Sequence, residues 1–218
     1  MKKVIVIGIV VLFSILLLVN KSDQQDNKIV DKYPWQITLL PGGQSRVFGI
    51  VLNETTLKEV IVILKDRPVV ALFESDGALS LEAYFKNVTL GGLTGSFIFT
   101  MDVTALQLNE IKTNNSKQKK LEKSGFRYEL DMPESVKAEK YIVKSLNYIP
   151  TVQLSEEMIV KRFGMPEQKI ALKNKELGWH YLYPGKGLDL IYKKEGKEVL
   201  QYVSPGDFNL LSEPLQSH

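Results

Sequence analysis

Apolar positions fall into one unbroken block at the start of this chain and into short periodic runs after it. Val4 to Val19 carries no charge and is interrupted only by Gly8 and Ser14, with Lys2 and Lys3 before it and Lys21 after it. As a helix this run would be about 24 Å long, against a hydrocarbon core of about 30 Å. That is short for a span and slightly long for a signal-peptide core. The run ends Leu16-Leu17-Leu18-Val19-Asn20, without the small residues that a signal peptidase needs. The pattern predicts an uncleaved signal anchor over residues 1–20, with Val4, Ile7, Leu12, Phe13, Leu17 and Val19 as membrane-anchoring residues. A removed signal peptide and a segment buried in a soluble core are the alternatives. The polar residues 21–33 read as a tether.

Beyond the tether the period changes repeatedly. Ile37–Leu40 and Arg46–Leu52 read as short strands. Leu57, Val60, Ile61 and Leu64 follow helical spacing, and Thr56 with Glu59 has the spacing of a capping box. Asp66-Arg67-Pro68 ends that helix. Val69–Phe73, the alternating Leu79–Phe85 and Phe97–Met101 then predict three strands, with a turn at Ser75-Asp76-Gly77. Asp102 or Thr104 can cap a helix through Leu106, Leu108 and Ile111, and Phe126–Leu130 alternates as a further strand. The second half repeats the plan. Tyr141–Ile149 is a strand, Ser155 caps a helix through Ile159, Val160 and Phe163, and Gly164 with Pro166 stops it. Strands follow at Lys169–Leu172, Trp179–Tyr183, Leu188–Tyr192 and Val199–Val203. Helix, proline stop and antiparallel meander thus occur twice, which suggests a duplicated architecture.

The second half resembles the SmpA/OmlA (BamE-like) family of small bacterial envelope domains over about residues 150–205. The likeness rests on the helix Ser155–Phe163, the stop Gly164-Met165-Pro166, the strand Trp179-His180-Tyr181 and the turn Lys194-Glu195-Gly196. It implies a helix packed on an antiparallel sheet and a non-enzymatic binding or scaffolding role. Two features depart from that family. Its members are typically lipoproteins with an N-terminal cysteine, whereas this chain has no cysteine, and they carry one such module where this chain shows two.

Charge narrows the function classes. Lys and Arg total 28 against 25 Asp and Glu, and Lys2 and Lys3 lie before the apolar block, so the rest is close to neutral. Nothing in that balance draws the chain to nucleic acid. The lack of cysteine excludes disulfides, thiolate metal sites and cysteine nucleophiles. Of the two histidines, His218 is terminal and His180 stands alone between Trp179 and Tyr181, so it reads as structural or solvated. Glu74, Asp76 and Glu82 are the tightest carboxylate cluster, explained by a turn and by the polar face of a strand. The glycine clusters Gly91-Gly92-x-x-Gly95 and Pro184-Gly185-Lys186-Gly187 sit between strands and read as turns.

Two surface features remain. Trp179, Tyr181, Tyr183 and Tyr192 either face a core or, if open, form a protein-contact surface. Lys117, Lys119, Lys120 and Lys123 form a solvated run or a contact with anionic lipid headgroups. Together these readings predict an α+β fold: an N-terminal transmembrane helix, then two similar modules at 34–131 and 132–211, each a short helix packed on an antiparallel sheet, and a flexible tail at 212–218. They predict a single-pass protein of the bacterial inner membrane with its C-terminal domain in the periplasm. Its expected role is a non-enzymatic protein-binding or scaffolding module. It would hold the membrane through its N-terminal helix and contact another envelope protein, with no cofactor, no metal and no nucleic acid. The alternative is a carrier of a lipid or apolar ligand. The third reading is an enzyme, which requires a cleft where Glu74, Glu82 and His180 converge.

Overall fold

The strand periods produce a larger sheet than the two meanders alone would build. The computed structural model describes residues 31–115, 119–122, 125–173 and 177–216. A small antiparallel sheet comes first: β1 (Ile37–Leu39), β2 (Ser45–Val47) and β3 (Ile50–Val51). Helix α1 (Leu57–Leu64) follows, closed at its N-terminus by the expected capping box between Thr56 and Glu59. Next are β4 (Val69–Ser75), β5 (Ala78–Leu90) and β6 (Leu93–Met101), and then helix α2 (Ala105–Asn114), capped by Thr104. Strands β7 (Lys119–Glu122) and β8 (Gly125–Glu129) precede helix α3 (Met132–Ala138). The second half runs β9 (Val143–Pro150), helix α4 (Glu156–Phe163), β10 (Gln168–Ala171), β11 (Gly178–Tyr183), β12 (Leu188–Lys193) and β13 (Val199–Tyr202). Helix α5 (Asn209–Gln216) ends it.

Ten of these strands form one antiparallel sheet in the order β10-β11-β12-β13-β9-β6-β5-β4-β8-β7. This corrects the expectation of two modules, each with its own sheet. Strand β9 is the reason: its Phe97–Tyr148 and Leu146–Phe99 pairings bond it to β6, and Leu200–Tyr148 and Leu146–Tyr202 bond it to β13. A strand bonded on both sides removes the free edge that each meander would otherwise present. Among the described residues 43% are strand and 26% helix, so the helices decorate a sheet rather than define modules. From Asp31 onward the described residues belong to one compact unit.

One face of the large sheet carries the core. Leu72, Leu81, Phe85, Phe97, Phe99, Leu146, Tyr148, Leu190, Leu200 and Tyr202 are all buried there. The small sheet sits over its middle: Phe48 meets the rings of Phe97, Tyr148 and Tyr202 at centroid distances of 5.1, 5.0 and 6.4 Å. Leu57, Val60 and Leu64 of α1 and Ile159 and Phe163 of α4 bury their helical stripes in the same cluster. The opposite face is covered at one end by α5, where Leu211 and Leu215 pack against Leu182, Val203 and Phe208.

Two sequence expectations need correction at the chain's ends. The tail read as flexible is helix as far as Gln216, with Pro214 inside it. The anchor residues Val4, Ile7, Leu12, Phe13, Leu17 and Val19 lie outside the described residues. Among the described residues no helix is long and apolar enough to cross a membrane. The single-pass inner-membrane assignment therefore has no structural support and is withdrawn.

Candidate functional site

An apolar groove opens beside α4, where the chain enters the fold. Its lining includes Pro34, Trp35, Leu93, Tyr148, Pro150, Val152, Leu154, Met158, Arg162 and Phe163, and its volume is about 320 Å³. Local sequence explains the geometry. Ser155 caps α4 by accepting the Met158 amide at 3.2 Å, which aims Met158 and Arg162, four residues apart, along one side of the helix. Pro150 ends β9, and the Thr151 amide bonds the Thr94 carbonyl at 2.9 Å, turning Val152 and Leu154 across the sheet toward the helix.

The opposite wall is held from a distance in sequence. The fully buried Tyr202 donates its hydroxyl to the Pro34 carbonyl at 2.9 Å. Burial pushes that phenol well above its ordinary pKa, so it remains a donor. Tyr148 at the floor donates to the Thr94 carbonyl at 3.4 Å, and burial raises its phenol to about 12. Trp35 is fixed by Tyr33, stacked at 5.1 Å and 5°, and by Phe163, edge-on at 6.4 Å and 88°. Over the Trp35 ring lies the Arg162 guanidinium, with Cζ 4.6 Å from the centroid. At the rim Val152 and Met158 are 57% and 43% exposed, so the apolar lining continues onto the surface.

The four aromatic residues singled out in the sequence lie elsewhere. Tyr181 and Tyr183 are buried on the core face, and Trp179 and Tyr192 are half-buried beside them. Tyr183 donates to the Gly164 carbonyl at 3.0 Å, locking the end of α4 to the sheet. Lys169 lies over both rings, 4.5 Å from the centre of Trp179 and 4.9 Å from that of Tyr181. These residues support α4 and do not form an open contact face. Of the lysine run, Lys117 and Lys123 lie outside the described residues. Lys119 and Lys120 are on the edge strand β7, where Lys119 sits 3.5 Å above the Phe126 ring and Lys120 pairs with Glu129 at 2.9 Å. Lysine on an exposed edge discourages pairing with another sheet.

The residues named for an enzyme do not come together. Glu74 and Glu82 line one cleft of about 280 Å³ with Phe73, Ser75, Ser80 and Phe126. They project from opposite faces of the sheet, since Glu74 pairs with Leu79 and Glu82 with Ala71 in the ladder. Glu74 is occupied: Lys112 contacts it at 2.5 Å and the Tyr128 hydroxyl at 2.7 Å, which together hold its carboxyl below the usual range. Burial instead raises the Glu82 carboxyl, opposed by Ser80 at 2.9 Å. His180 is on β11, with β12, β13, β9 and β6 between it and β5, about 24 Å away at the usual strand spacing.

His180 does have a partner that the sequence could not locate. Its Nδ1 lies 2.7 Å from Oδ2 of Asp189, one strand away and almost fully buried. Burial raises the Asp189 carboxyl and the histidine opposes that rise. Among the described residues no group of three or more histidine, cysteine or carboxylate side chains is placed to hold a metal ion. Sequence reasoning also missed the groove. Its signal was the pairing of Pro34-Trp35 with Leu154, Met158 and Phe163, more than a hundred residues later, and no local period links them.

No protein-family model, no curated protein and no solved structure matches this chain.

Proposed function

We propose that this chain is a non-enzymatic protein-binding module that seats an apolar side chain of a partner polypeptide in the groove between α4 and the sheet. The observation that carries this reading is the continuity of the groove with exposed Val152 and Met158. A pocket serving only a small apolar ligand closes over it, whereas a protein contact wants an apolar centre that runs into a broader surface. Tryptophan, tyrosine and arginine, which dominate the energetics of contact surfaces, all stand in this lining. The volume sits at the lower end of the usual 300–1,000 Å³ or so for ligand sites, too small to enclose a two-chain lipid. The likeness of Ser155–Phe163, Gly164-Met165-Pro166 and Trp179-His180-Tyr181 to SmpA/OmlA-type domains points to the same kind of role.

Selection of a displayed random-peptide library on the full chain tests the proposal. Enriched peptides share a large apolar residue, and they lose at least tenfold in affinity for the rim variants Met158→Glu and Val152→Glu. They keep full affinity for Leu106→Glu, a control on α2 whose parent side chain is 81% exposed. Peptides that bind both rim variants as well as they bind the parent chain overturn the proposal.

A further inference from the structure

The groove has a chemical feature beyond its apolar lining. Arg162 has no hydrogen-bond or ion-pair partner among the described residues; its Cζ lies over the Trp35 ring, 4.6 Å from the ring centre. An aromatic ring beneath a guanidinium attracts its charge but does not satisfy its fork of N–H donors. The ring beneath it is held in place, because Trp35 is packed by Tyr33 and Phe163 and its neighbour Pro34 is bonded by Tyr202. A charged donor fork without a partner among the described residues thus stands at the mouth of a groove whose other walls are almost wholly apolar. Such a fork matches a carboxylate, which it can hold through two parallel hydrogen bonds.

Resting on the proposed binding of a partner polypeptide, we propose that the partner segment carries a carboxylate next to its apolar anchor: an acidic residue beside a large aliphatic or aromatic one. The apolar side chain fills the space between Leu154, Met158 and Phe163, and the carboxylate bonds the edge of Arg162. A polypeptide is the occupant, rather than a free fatty acid, because the lining does not close over its contents: Val152 and Met158 on the rim are 57% and 43% exposed and carry the apolar surface outward. One alkyl chain inside about 320 Å³ covers only the inward side of those two residues, while a peptide backbone crossing the rim covers their exposed side as well.

The test measures binding of the full chain to three fluorescent octapeptides that differ at one position, with leucine followed by aspartate, asparagine or lysine in a glycine-serine frame. The aspartate peptide binds about tenfold more tightly than the isosteric asparagine peptide, and the lysine peptide binds weakest. The preference for aspartate disappears in Arg162→Gln and shrinks as salt rises. Equal affinity for the aspartate and asparagine peptides, or a preference that survives Arg162→Gln, overturns the carboxylate assignment. In that case continued sensitivity to Met158→Glu keeps the groove as a polypeptide site. Decanoate binding in the absence of binding by any of the three peptides overturns both proposals in favour of a fatty-acid ligand. Self-association of the chain that blocks the groove overturns the peptide assignment in favour of a second copy.

Discussion

Tyr202→Phe separates the support of the groove from the groove itself. Tyr202 is fully buried, and its hydroxyl meets the carbonyl of Pro34 at 2.9 Å. Proline has no amide to offer elsewhere, so this carbonyl is the hydrogen-bonding group through which the entering chain is tied to β13. The substitution keeps the ring and almost all of the buried area. What it removes is the donor, leaving a buried acceptor without a partner, which costs about 1–3 kcal/mol. For a chain of this size each kcal/mol lowers Tm by about 2–4 °C. The chain has two tryptophans, so in a Trp179→Phe background the emission reports Trp35 alone. Circular dichroism on heating, together with acrylamide quenching of that emission, gives both readouts. We expect Tm to fall by several degrees, Trp35 to become more accessible to quencher, and peptide affinity to drop a few-fold although residue 202 does not line the groove. A Tm within about 1 °C of the parent with unchanged quenching would show that the bond does not hold the wall, and the account of a pre-positioned Trp35 would fail.

Three further outcomes follow from the packing. Glu198 is fully buried, and the backbone amides of Glu198 itself and Leu154 face it without reaching full hydrogen-bond geometry, so burial raises its carboxyl. A carboxyl raised on folding costs stability above its folded pKa and regains it as pH falls through that value toward the ordinary 4.5; Glu198→Gln should therefore be more stable at pH 7 and flatten the pH profile of Tm below neutrality, and an unchanged profile counts against the buried charge. A Cβ at Gly95 would collide with the ring of Tyr148 at the groove floor and with the Ile149 carbonyl, so Gly95→Ala should cost about 1–3 kcal/mol in urea unfolding and weaken peptide binding; a neutral result refutes the close approach of β6 to β9. Thr56→Ala removes one half of a reciprocal cap, in which Thr56 accepts the Glu59 amide at 3.4 Å and donates its own amide to Glu59 at 2.8 Å, and should cost about 1 kcal/mol in the same assay, whereas no loss means that tertiary contacts alone hold α1.

The elements were more legible in the sequence than the architecture. Thr56, Thr104 and Ser155 mark helix starts through capping chemistry that acts over three residues, and all three cap the helices that follow. Alternation from Leu79 to Phe85 marks β5 for the same reason, because a strand's two faces are written at every second residue. Helices α3 and α5 were not legible: Met132–Ala138 has little apolar stripe, and Pro214 reads as a breaker although it falls within α5. The merging of two meanders into one sheet was illegible in a different way. A strand's sequence reports which face is buried, whereas β9 is defined by which edges it bonds, and backbone edges carry no side-chain code.

The same limit explains why the aromatic strand drew attention away from the groove. Trp179, Tyr181, Tyr183 and Tyr192 stand out because their spacing places them on one face, and spacing alone cannot say whether that face is covered. Once β10 to β13 join the sheet, the face turns inward and Tyr183 spends its hydroxyl on Gly164, at the end of α4. Those aromatics therefore contribute indirectly: they position the helix whose other side carries Met158 and Arg162. The open apolar surface lies instead where Pro34-Trp35, Val152–Leu154 and α4 meet, three segments that none of the local periods relates. Arg162 is legible as chemistry only after this meeting. In the sequence it is one of 28 lysines and arginines and sits on an ordinary helix end; in the fold its guanidinium lies over Trp35 with no hydrogen-bond or ion-pair partner among the described residues.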